Sequence, residues 1–213
     1  MGGEPNAKEE AARRELETYV KDCKIFIDTC SLLHSGSYNF WANIIPLLYQ
    51  YDKKVFIPYR CIEELWKHGD NQAKPELAEK AKDSWKKLEP LIGEFVEIRG
   101  EPSDSFADNV FLAVFTKFRI QYKLLLITQD NNLAKDIEAL NNSKAVIAKP
   151  VTVKRLNKYG YLSSFNWNTN DSEKNTKFTQ HTSKSENDID EDEMFRISKT
   201  VTSIDNSIIP VHS

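Results

Sequence analysis

Three short apolar runs, each closed by polar residues or proline, set the limits on this fold: Lys24-Ile25-Phe26-Ile27-Asp28, Lys54-Val55-Phe56-Ile57-Pro58 and Lys123-Leu124-Leu125-Leu126-Ile127-Thr128. They are too short for buried helices and lack the alternation of a half-exposed strand, so each reads as a strand covered on both faces. A further candidate strand is Ala145-Val146-Ile147-Ala148. Helical patterns lie between them, at residues 40–51 with Pro46 as a kink, 59–68 closed by Gly69, 76–91, 106–118 and 132–140. An earlier stretch, residues 7–21, has acids first and a lysine last, which suits a surface helix. Strands alternating with helices demand a parallel sheet covered on both sides, so the expected class is α/β.

A chain of 213 residues with 40% apolar content can bury one good core with appendages. The expected division is an N-terminal helix at 1–22, the α/β domain at 23–165, a disordered polar linker at 166–193 and a C-terminal segment at 194–213. That segment regains apolar residues and is read as a docking strand or the start of a further domain. Residues 166–213 hold 5 of the 29 basic and 9 of the 32 acidic side chains, leaving 24 basic against 23 acidic before them. Such a balance lacks the charge footprint of a duplex-coating protein, so any nucleic-acid contact must be local. Cys23, Cys30 and Cys61 form no C-x-x-C pair, and the start of the chain has no basic-then-apolar layout. A reducing, cytoplasmic setting without a membrane span is expected.

Ligands of open parallel sheets bind beyond the carboxyl ends of the strands. Asp28 follows the first run directly and Asp130 comes just after the run at 124–128. Glu64 lies on the helix after the second run, and Asp108 near the start of the helix at 106–118. Asp104, four residues earlier, would share its face on a continuous helix, or else cap it. Carboxylates converging on one mouth repel one another unless a cation intervenes, and an all-oxygen set suits Mg²⁺ or Mn²⁺. Thr29, Ser31 and Thr128 are placed to orient carboxylates or waters. His34, His68, His181 and His212 show no ligand spacing, and Phe106, Phe111, Phe115 and Phe118 read as core.

At these acids the sequence resembles the PIN-domain family. The matching pieces are Phe26-Ile27-Asp28-Thr29-Cys30-Ser31-Leu32-Leu33 and Ile57-Pro58-Tyr59-Arg60-Cys61-Ile62-Glu63-Glu64-Leu65. They are followed by Phe106-Ala107-Asp108-Asn109-Val110-Phe111-Leu112-Ala113 and Leu125-Leu126-Ile127-Thr128-Gln129-Asp130-Asn131-Asn132-Leu133. The resemblance covers residues 24–150. It implies a three-layer α/β/α domain with strand order 3-2-1-4-5, and Asp28, Glu64, Asp108 and Asp130 as ligands of the metal. The implied activity is metal-dependent endonuclease hydrolysis of single-stranded RNA, or of DNA, through a metal-activated water.

Other readings of the first acid fail on its neighbours. A dehalogenase-type phosphatase needs a second Asp where Cys30 stands, and a receiver domain needs paired acids where residues 24–29 offer one. The rival of a different class is a catalytically weak RNA- or protein-binding accessory module of a larger signalling or stress-response protein. Expected partners are the single strand, a second copy of the chain, and a domain or partner reached through the C-terminal segment. Arg60, Lys82 and Lys86 are the candidates for strand contact, against the simpler reading of a solvated helix face.

Overall fold

The computed structural model describes residues 7–101, 107–142 and 148–167, with the side chains of Ala107 and Asp108 excepted. Its elements run α1 (Ala7–Asp22), β1 (Cys23–Ile27), α2 (Thr29–Leu32), α3 (Ser37–Tyr51), β2 (Val55–Pro58), α4 (Tyr59–Gly69) and α5 (Pro75–Leu88). There follow β3 (Val96–Arg99), α6 (Ala107–Phe118), β4 (Lys123–Ile127), α7 (Asn131–Ala139), β5 (Val151–Leu156) and β6 (Leu162–Ser163). The strands form one sheet in the order β3-β2-β1-β4-β5-β6, parallel except for the antiparallel β5–β6 pair. The fold is α/β, with helices around the sheet in three layers.

The runs at 24–28, 54–58 and 123–128 are the three central strands, and from Ile25 to Ile27, Val55 to Pro58 and Leu124 to Ile127 every residue is buried. Two strands differ from expectation. β3 has only Val96 fully buried, so its edge position leaves no continuous apolar run. The candidate strand at 145–148 lies mostly outside the described residues, Ala148 is not in a strand, and Val151–Leu156 pairs with β4 instead. Asp104, and every residue of the expected linker and C-terminal segment from 168 onward, also fall outside the described residues.

Alternation along the strands assigns the layers. On β5, Lys154 reaches Glu15 of α1 while Arg155 reaches Asn131 of α7, so α1 and α7 cover opposite faces. Phe26 of β1 meets Phe56 of β2 at 5.4 Å and Phe115 of α6 at 5.2 Å between ring centroids, which places α6 with α7. Burying a side chain such as Phe115 contributes about 1.5–3 kcal/mol, and α6 adds Val110, Phe111, Val114 and Phe118 to the same core. Helix α1 buries Leu16 and Val20 against the domain while its other face stays charged. Pro46 is accommodated inside α3, which ends at Asp52 in a left-handed conformation. Among the described residues no helix is long and apolar enough to cross a membrane.

The turn from β5 to β6 closes tightly on α3. Gly160 has φ +78°, and a Cβ there would stand 2.2 Å from the backbone nitrogen of Phe40. Backbone cannot swing aside as a side-chain tip can. Gly160→Ala is therefore expected to lower stability by about 2–4 kcal/mol, seen as a lower urea midpoint at unchanged slope. An unchanged midpoint would contradict the packing of this turn on α3.

Candidate functional site

Parallel pairing brings Ile27 level with Ile127 and Ile127 level with Lys154. One residue further on, the ladder continues past the strand ends: the Asp28 N–H donates to Ile127 O and the Thr128 N–H to Lys154 O. Asp28, Thr128 and Arg155 thus lie in one row along the carboxyl edge of β1, β4 and β5.

Asp28 is 6% exposed and is held from several directions. The Thr29 N–H donates to its Oδ1 at 2.6 Å, and the Thr128 hydroxyl donates to its Oδ2 at 2.9 Å. The Cys30 thiol also donates to Oδ2, while the Cys61 thiol lies 3.8 Å from Oδ1. Asp28 caps α2 as well, and its extended backbone lets one side chain serve both ends of the turn. Burial pushes its carboxyl above the ordinary range; the hydrogen bonds from Cys30, Thr128 and Thr29 oppose this, and the charge of Asp130 adds to it.

Glu64 projects from α4 toward Thr29, whose hydroxyl donates to Glu64 Oε2 at 2.7 Å. Its carboxyl is also raised, first by burial, against the Thr29 hydrogen bond, and then by the Asp28 charge. Asp130 caps α7, with Oδ1 accepting from the N–H groups of Asn132 at 2.6 Å and Leu133 at 3.0 Å. The Thr128 hydroxyl accepts from the Asp130 N–H at 3.0 Å, so one threonine joins two acids. Asp28 is thus linked on one side to Asp130 through Thr128 and on the other to Glu64 through Thr29. Asp108 lies in the first turn of α6, and its side chain is outside the described residues.

The supporting residues divide. Thr29 and Thr128 each orient a carboxylate. Ser31 does not: α2 turns its hydroxyl into the interior, where it has no hydrogen-bond partner among the described residues. Cys30 and Cys61, which the motif pattern left unassigned, press on Asp28, and burial followed by the Asp28 charge pushes both thiols well above the usual range. Arg60 is tied to Glu63 and, with Lys67, lies within electrostatic reach of Glu64. Lys82 and Lys86 instead line an open groove between α5 and the end of α4, with Gly69 and Asp70.

The donor set can be tested against a divalent cation. Glu64 Oε1 and Asp130 Oδ2 accept no hydrogen bond from the described residues, so each acid keeps one oxygen uncommitted. A carboxylate has about four lone-pair sites, and Asp28 already uses most of its own. Among the described residues no three His, Cys, Asp or Glu side chains make a ready cage. What the set offers is the two uncommitted oxygens of Glu64 and Asp130, and Mg²⁺ asks for no more than one or two carboxylates beside waters and phosphate oxygens. No known family, curated protein or solved structure matches the chain.

The raised carboxyl of Glu64 has a stability consequence. An acid whose folded-state pKa exceeds its unfolded one binds more protons when folded, so its contribution is full at low pH and is lost as pH rises from about the ordinary 4.5 through the raised value. Glu64→Gln removes that loss while keeping an oxygen for Thr29. In chelator, the melting temperature of Glu64→Gln relative to the parent should climb as pH rises from 4.5 to 7.5, and added Mg²⁺ should shrink the difference. A gap independent of pH would mean that Glu64 is not held against its charge.

Proposed function

We propose that the chain is a PIN-like, Mg²⁺- or Mn²⁺-dependent endonuclease acting on single-stranded RNA. The observation that carries this reading is the linked group of Asp28, Glu64 and Asp130 at the carboxyl edge of the sheet, where open α/β folds bind their ligands. Acids gathered at one edge are poor binders of an anionic strand by themselves and good binders of a small hard cation. When bound, the cation supplies charge stabilisation at the attacked phosphate and a more acidic water.

The chain's own residues supply position. Asp28 is fixed by the Thr29 N–H and Thr128, Glu64 by the Thr29 hydroxyl, and Asp130 by the first turn of α7. Glu64 Oε1 and Asp130 Oδ2 are the oxygens that would hold the cation, and the family resemblance adds Asp28 and Asp108 to the set. Arg60 and Lys67, near Glu64, favour its ionised form. A catalytically weak accessory module draws support from a different feature, the two thiols crowding Asp28, since they occupy lone pairs that a metal would use.

Cleavage of a labelled single-stranded RNA by the full chain separates the readings. Activity is expected with Mg²⁺ or Mn²⁺, to vanish in chelator, and to fall about a hundredfold or more in Asp28→Asn. Cleavage that survives exhaustive chelation, or that is unchanged in Asp28→Asn, would sink the metal mechanism. A purified chain that binds RNA but never cleaves it would establish the accessory role.

A further inference from the structure

Beside the acids, on the β5 side, stands a pair of hydrogen-bond donors without acceptors. Arg155 lies one step past Lys154 in the row that contains Thr128 and Asp28, two strand spacings or about 10 Å from Asp28. Its guanidinium is stacked 4.5 Å from the centre of the Phe165 ring, and Nη2 donates to Asn131 Oδ1 at 2.9 Å, next to Asp130. The fork is thus held against Phe165 with one nitrogen tied to Asn131. No carboxylate among the described residues pairs with it, and its Nε–H is buried without a partner. Buried polar groups are nearly always satisfied, so an unmet donor on a fixed guanidinium points to an absent acceptor.

His34 supplies the second donor. The Gly36 N–H donates to His34 Nδ1 at 3.1 Å, so the neutral ring carries its proton on Nε2, which has no partner among the described residues. The ring stands at the end of β5, two residues past Arg155: a Cβ on Gly36 would lie 3.2 Å from His34 Nδ1 and 1.9 Å from the carbonyl oxygen of Asn157. That close packing fixes the loop there. Each thus presents a donor, Arg155 Nε–H and His34 Nε2–H, with no acceptor among the described residues.

We propose that Arg155 and His34 form a phosphate subsite that grips a phosphodiester of the single strand next to the one held at Asp28, Glu64 and Asp130. This rests on the nuclease reading and adds the path of the strand, which crosses the sheet edge between β1 and β5. A phosphate oxygen is the acceptor that the Arg155 fork lacks, reached with a modest turn of its last torsions, and the His34 Nε2–H meets another oxygen. The side of the site nearest β5 then carries positive charge against the acids beside it.

The test uses the metal-free full chain, with the histidine ring signals followed by NMR. Two probes are added separately, inorganic phosphate and a short single-stranded RNA. Both are expected to shift the His34 ring saturably, and Arg155→Gln to weaken each about tenfold, as loss of a charge-assisted bond should. Should Arg155→Gln fail to fold for want of its stack on Phe165, Arg155→Lys keeps charge and stem but not the fork and is expected to weaken binding severalfold. A His34 signal that neither probe moves, or that moves equally in the variants, overturns the subsite. Response to free phosphate but not to RNA overturns the strand assignment. An Arg155-dependent response to RNA in a chain that fails to cleave it supports the subsite and removes the nuclease reading instead.

Discussion

The interior carboxylate of Asp28 is the constraint from which the rest of the edge follows. Moving a carboxylate out of water costs several kcal/mol unless hydrogen bonds and opposite charge replace hydration. The replacements come from separate parts of the chain: a backbone N–H from α2, a hydroxyl from the end of β4, and thiols from α2 and α4. Only parallel pairing of β1 with β4 sets Thr128 beside Asp28, and only the packing of α4 after β2 brings Cys61 and Glu64 to the same place. Among the described residues the fold supplies donors but no basic side chain paired with this acid, which is why the proposed function turns on a cation.

Much of this was legible in the sequence because buried parallel strands leave a distinctive trace. β1, β2 and β4 are covered on both faces, so their runs are continuous and their ends mark where Asp28 and Asp130 must lie. β3 sits at the edge, alternates half-buried charged residues with its apolar ones, and leaves no such trace. β5 lies further along the chain than expected because its half-buried positions include Lys154 and Arg155, which interrupt the apolar pattern that residues 145–148 display. Asp130 caps α7 through Oδ1, as the sequence suggested, and among the described residues nothing donates to its Oδ2.

The site itself was legible as acids and not as their surroundings. Motif spacing finds carboxylates, whereas the roles of Cys30, Cys61, Lys67, His34 and Arg155 depend on which residues the sheet register and the loop after α2 bring alongside. Ser31 illustrates the converse: its hydroxyl has suitable chemistry and spacing, yet three residues of helical turn carry it into the core. The β5 side of the edge, with an arginine held against Phe165 and tied to Asn131, gives a site of mixed sign. Mixed sign suits a reaction in which a cation and a polyanion must be held together.

The central claim is that a divalent cation is held by Glu64 and Asp130 beside Asp28, and locating Mn²⁺ by its anomalous scattering in crystals of the chain tests it most directly. The account requires a single strong peak between the carboxylates of Glu64 and Asp130, beside Asp28. A peak elsewhere, or none at Mn²⁺ concentrations that saturate the crystal, would contradict it.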